Sequence, residues 1–103
     1  MLVVNRFNAA PDDAAFRQAL EEARRVLEAR DGYLDGSIGR NVDQPDLWVL
    51  VTRWRDVGSY RRALSSYEVK AGAVPVLTRA LDEPSAYEIV EGDLNTSVPR
   101  SLG

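Results

Sequence analysis

The run Leu47-Trp48-Val49-Leu50-Val51-Thr52-Arg53-Trp54 constrains this chain more than any other segment. β-Branched and aromatic residues dominate it, and the turn residues Asp43-Gln44-Pro45-Asp46 precede it, so it reads as a strand. Side chains alternate across a strand, which puts Leu47, Val49 and Val51 on one face and Trp48, Leu50 and Trp54 on the other. An antiparallel sheet with one wet face would alternate apolar with polar residues instead. Both faces of this strand therefore need a cover. Helices of the same chain can supply one. For the other, a second copy of the chain is the economical source in only 103 residues, because an uncovered patch of that kind is unusual on a soluble monomer.

The flanking sequence arranges itself around that strand. Leu2 to Phe7 reads as a first strand, and Pro11-Asp12-Asp13 supplies a first-turn proline and two acids for a helix start. Phe16, Leu20, Ala23 and Leu27 then mark one apolar helix face, with Glu21 four residues ahead of Arg25 on the polar side. Gly32 is placed to end the helix. Tyr33 to Val42 is a second strand, in which Gly36 and Gly39 predict a bulge or bend. Asp56 and Ser59 are candidate caps for a second helical region holding Tyr60, Ala63 and Leu64. Ser65-Ser66 breaks it, and a further stretch over 67–79 is kinked or divided by Gly72 and Pro75. Ser85 to Glu91 reads as a last strand. The order β-α-β-β-α-β predicts a ferredoxin-like α+β domain over residues 1–91, followed by a polar tail over 92–103 that is mobile unless a partner holds it.

What is missing narrows the chemistry. The chain has no Cys and no His, which removes thiolate nucleophiles, iron–sulfur clusters, thiolate zinc sites, imidazole bases and histidine-held haem. No acidic cluster is spaced for Mg²⁺, and no flavin or nicotinamide fingerprint is present, so no cofactor is expected. Any chemistry rests on amides, hydroxyls, carboxylates, guanidiniums and aromatic rings. With 13 Lys+Arg against 16 Asp+Glu the net charge is −3, which argues against nucleic-acid binding. No apolar run approaches the roughly 20 residues of a membrane span, and no signal peptide opens the chain, so a cytoplasmic address is the default expectation.

Several segments in order carry a family resemblance: Val4-Asn5-Arg6-Phe7, Asp31-Gly32-Tyr33-Leu34, Trp48 to Trp54, Ser59-Tyr60-Arg61-Arg62-Ala63 and Ser85-Ala86-Tyr87-Glu88-Ile89-Val90. With them the chain resembles the antibiotic biosynthesis monooxygenase family, whose sheets pair into a dimeric α+β barrel. The resemblance spans roughly residues 1–91. It implies a homodimer and, for the anthrone- and quinol-oxidising members, direct reaction of dioxygen with a small aromatic substrate and no cofactor. Asn5 also matches a first-strand asparagine of the haem-degrading members. Their histidine and tryptophan positions fall near Ala73 and Ala63 here, so haem degradation of that type is not expected. An isomerase or cyclase on the same barrel, and a ligand-binding or stress protein without turnover, are the rival readings.

A cofactor-free oxygenase must bind an aromatic body, assist one deprotonation and stabilise an oxyanion. Asn5 is the first candidate donor, since asparagine is disfavoured inside an apolar strand; the competing role is a bond to neighbouring backbone. It shares a face with Val3 and Phe7, which the resemblance places on the helix side. The same resemblance puts Trp54 in the cavity as a second catalytic candidate, against a purely core role. Phe7, Tyr60 and Tyr67 are candidate substrate-binding residues, and Arg53 belongs to an arginine cluster able to attract an anionic substrate or simply to form a solvated face.

Overall fold

The computed structural model describes residues 1–90; residues 91–103, with Glu91 and the expected tail, lie outside the described residues. Four strands, β1 (Leu2–Asn8), β2 (Tyr33–Arg40), β3 (Leu47–Trp54) and β4 (Ala86–Tyr87), form one sheet in the order β2-β3-β1-β4. Every neighbouring pair is antiparallel. The helices are α1 (Ala14–Glu28), α2 (Val57–Ser65), α3 (Tyr67–Gly72) and α4 (Val74–Leu77). This is the ferredoxin-like α+β arrangement that the element order predicts.

Register fixes which residues share a face. Asn5 stands opposite Leu50, Phe7 opposite Trp48 and Val3 opposite Thr52. All but Asn5 in this set are buried, together with Trp54, beneath Phe16, Leu20, Ala23 and Leu27 of α1 and Val69 of α3. Phe7 meets Phe16 edge-on at 5.4 Å between ring centroids, and Phe16 meets Trp48 at 5.3 Å. Each large side chain so buried contributes about 1.5–3 kcal/mol. The opposite face carries Leu2, Val4, Leu47, Val49 and Val51, all half-buried, and none of them belongs to the buried core under the helices.

Local chemistry sets the element ends. Helix α1 starts at Ala14, three residues after the proline. The Asp13 carboxylate accepts the Phe16 N–H at 2.9 Å and acts as the cap, which leaves Pro11 and Asp12 in the preceding turn. The helix-surface pairs also differ from expectation: Arg25 meets Glu22, and Glu21 meets Arg17 at 3.2 Å. Asp56 caps α2 through the Ser59 N–H, so Ser59 is the capped residue and not the cap. Ser66 separates α2 from α3, and Gly72 with Pro75 divides α3 from α4, as the sequence predicts. The bulge of β2 lies between Tyr33 and Asp35, just ahead of Gly36. A Cβ on Gly36 would strike the Tyr33 hydroxyl. The last strand is much shorter than the expected Ser85–Glu91: only Ala86 and Tyr87 join the ladder, opposite Val3 and Leu2. Before it, Pro84 has no N–H to donate, and the chain is tied to β1 by single bonds, Leu81 N–H to Arg6 O at 2.8 Å and Val4 N–H to Ser85 O at 2.7 Å.

Gly32, between α1 and β2, has φ of 91°, a region that only glycine enters at little cost. A Cβ there would overlap the buried Ser59 side chain, which receives hydrogen bonds from Arg55 and Arg62. Gly32→Ala is therefore expected to destabilise the fold by at least ~2 kcal/mol, from strain and overlap together. Urea unfolding would read this as a lower midpoint with an unchanged slope; a midpoint equal to that of the unmodified chain would contradict it.

Candidate functional site

Asn5 has the least settled polar side chain on the helix-side face. It is half-buried, and its amide has no hydrogen-bond partner among the described residues. Asn5 lines a cavity of about 400 Å³ at the β1–β4 margin, whose wall includes Leu77, Thr78 and Leu81. The segment from α4 to β4 supplies the rest of the lining, and its two backbone tethers to β1, at Leu81 and Ser85, are among those residues. Thr78 does not compete for Asn5, since its hydroxyl donates to Pro75 O at 2.8 Å. Arg6 and Glu83 line the same space and hold each other in a two-pronged ion pair, both N···O distances being 2.7 Å. The guanidinium holds the Glu83 carboxyl below its ordinary pKa, chiefly through the hydrogen bond, which outweighs the opposing desolvation; its charge adds a smaller lowering.

The other sequence candidates lie elsewhere. Trp54 shares the face of Asn5 but sits four residues along β3 from Leu50, about 13 Å at the strand rise. It is fully buried, and its indole N–H donates to Thr52 Oγ1 at 2.9 Å. Its ring packs edge-on against Tyr33 at 5.3 Å and tilted against Tyr60 at 5.5 Å. Burial raises the pKa of both phenols, so each stays a hydrogen-bond donor at neutral pH. Phe7 is sealed in the core against Phe16. Tyr67 opens α3 and is 79% exposed. Arg53 points to the opposite face of the sheet and pairs with Asp35 at 3.2 Å. Asn5 and Trp54 thus lie on one face without meeting, and Arg53 and Tyr67 join neither. Ala63 and Ala73, the positions weighed for haem, are buried core methyls. No group of three or more metal-ligating side chains is gathered among the described residues, and no helix among them is long and apolar enough to cross a membrane.

Sequence reasoning missed the Arg6–Glu83 pair, which joins residues 77 apart in sequence. A signal was available: Arg6 is a charged residue inside an otherwise apolar strand. It gave no hint of the partner.

Sheet order, helix layer and marginal cavities define an α+β protein of the ferredoxin-like class. A sequence model of the family named antibiotic biosynthesis monooxygenase matches residues 1–74. The chain belongs to that family. No curated protein matches it. Among solved structures it is similar to SnoaB, a cofactor-independent oxygenase from Streptomyces nogalater, with a TM-score of 0.71 and 22% identity over 91% of this chain and 95% of that one. A Mycobacterium tuberculosis protein gives 0.66 and 23% over 89% and 97%. A conserved protein from Methanosarcina mazei gives 0.65 and 20% over 82% and 84%. At these identities the likeness establishes the fold.

The Arg6–Glu83 pair also makes a pH prediction. A carboxyl with a depressed folded pKa contributes stability above its ordinary pKa of 4.5 and loses it as pH falls through the depressed value. Glu83→Gln should therefore unfold more easily than the unmodified chain at pH 7, with the gap closing as both are acidified below the carboxylate range. Thermal unfolding against pH reads this directly. A gap that stays constant to strongly acid pH would show that charge pairing is not its source.

Proposed function

We propose that the chain is a cofactor-independent monooxygenase that oxidises a small aromatic substrate, anthrone- or quinol-like, with dioxygen. The observation that carries this reading is the Asn5 amide: half-buried, without a partner among the described residues, and lining a cavity. Family membership supplies the reaction class, and the absence of His and Cys leaves amide, phenol and guanidinium donors as the available polar machinery. Deprotonated substrate places charge on an oxygen, and the Asn5 NH₂ donates to it. In an anthrone-type reaction the CH₂ carbon becomes a carbonyl; one oxygen atom of dioxygen enters the product and the other leaves as water. Leu77 and Leu81 provide the apolar wall for the ring. Trp54, with its N–H already used, acts by packing, holding Tyr33 and Tyr60 in place. Val3 and Phe7, both buried, fix the β1 backbone on either side of Asn5, whereas Arg53 and Tyr67 stand apart from this cavity.

The reading includes a homodimer. The uncovered apolar face of Leu2, Val4, Leu47, Val49 and Val51 supports it, and a second copy of the same face is its natural cover. Sedimentation at micromolar protein should give about twice the 11.4 kDa chain mass; a stable monomer would remove the partner from the proposal. A second reading, a ligand-binding or stress protein without turnover, is favoured by one observation. The centre between sheet and helices is filled by Phe7, Phe16, Leu20, Leu50 and Trp54, all at most 1% exposed.

Oxygen uptake with an anthrone test substrate separates the two. Removal of one oxyanion donor costs on the order of 10²–10³ in turnover, so Asn5→Ala should lose most uptake while retaining its circular dichroism. Trp54→Phe, which keeps an aromatic ring but loses the N–H to Thr52, should lose less. Uptake that is absent from the unmodified chain across anthrones and quinols would favour the binding reading.

A further inference from the structure

A second cleft, of about 480 Å³, lies between the start of α1 and the Ile38–Arg40 end of β2, at the sheet margin opposite Asn5. Three guanidiniums line it, and they are not equally engaged. Arg17 is held by Glu21 at 3.2 Å. Arg40 lies over the Trp48 ring, 5.4 Å from its centroid, and donates to Pro11 O at 2.6 Å, contacts that orient its plane. Arg24 has no hydrogen bond or ion pair among the described residues, and its Nε is buried without a partner. Arg30 Nε, outside the cleft, is buried in the same way, so what Arg24 offers a ligand is its guanidinium end, which no carboxylate among the described residues engages.

The charge balance of the cleft narrows that group. Asp12, Asp13 and Glu21 line it too. Asp13 is committed to the helix cap and Glu21 to Arg17. The three carboxylates offset the three guanidiniums and would oppose a dianion. A monoanion, by contrast, meets two guanidiniums that no carboxylate engages, Arg24 and Arg40. Ala14 and Ile38 add apolar wall beside them, and the volume lies within the range of small-molecule sites. We propose that this cleft binds a small organic carboxylate with an apolar body, its carboxylate held by Arg24 and Arg40. Planar guanidiniums match that group through paired N–H donors. The site is separate from the Asn5 cavity and does not depend on the oxygenase reading.

Calorimetric titration of the full chain with benzoate, and in parallel with inorganic phosphate, tests it. Benzoate should bind saturably at one per chain and more tightly than phosphate. Arg24→Gln and Arg40→Gln should each weaken benzoate by about tenfold or more, the usual scale of a charge-assisted hydrogen bond. Asp12→Asn, at an exposed position, should tighten it by removing an opposing charge, and it keeps the test decisive if Arg24→Gln does not fold. The proposal is overturned if benzoate gives no saturable heat in the millimolar range. Tighter binding of phosphate than of benzoate, or an affinity indifferent to Arg40→Gln and Asp12→Asn, would overturn it equally.

Discussion

The fold depends on β3 being apolar on both faces. One face, Trp48, Leu50 and Trp54, is sealed by the helix layer with almost no exposure. A 103-residue chain has room for one such core, because small domains bury a limited share of their surface. That core uses every helix of the described residues, and the face of Leu47, Val49 and Val51 is left half-buried. The single helix layer and the unfinished face follow from the same eight residues.

Core demand also explains where polar groups can stand. The centre of the helix-side face is given to Phe7, Phe16, Leu50 and Trp54, whose rings meet their neighbours in edge-on and tilted contacts. Polar atoms admitted there are paired within the core, as the Trp54 indole is with Thr52, since an unpaired one would cost about 1–3 kcal/mol. Polar groups without a partner among the described residues stand at the margins instead: the Asn5 amide on β1, Arg24 on α1, and the Nε of Arg30 just after that helix.

Much of this fold was legible because local chemistry and the apolar pattern agree. The Phe16, Leu20, Ala23 and Leu27 stripe, the break at Ser66 and the division at Gly72 and Pro75 all depend on neighbours within a few residues. β4 was overestimated because the run from Ser85 to Val90 has strand composition, while its pairing depends on how far the chain from α4 can lie along β1. The site was less legible for a related reason. Alternation correctly put Asn5 and Trp54 on one face, but a face is not a site. That the Trp54 N–H is consumed by Thr52, two residues away in sequence, depends on a side-chain rotamer that no spacing rule reveals. The Arg6–Glu83 pair and the Arg24–Arg40 cleft depend on contacts between elements distant in sequence, where charge alone does not name the partner.

The absence of histidine and cysteine shapes what such margins can do. Without histidine or cysteine, no side chain has its ordinary pKa near neutrality, so taking a substrate proton falls to a carboxylate or to solvent. Its polar side chains are donors with fixed protonation: an amide, phenols kept neutral by burial, and guanidiniums. Fixed donors stabilise negative charge already present or forming on a ligand, and they do so best where water is scarce and the donor is not bonded elsewhere. Asn5 and Arg24 meet the second condition at opposite edges of one sheet, and in each case the packed centre provides the rigid wall. The packing that closes the middle of this domain to ligands thus also holds the donors at its edges, and chemistry in this chain follows the boundary of the core.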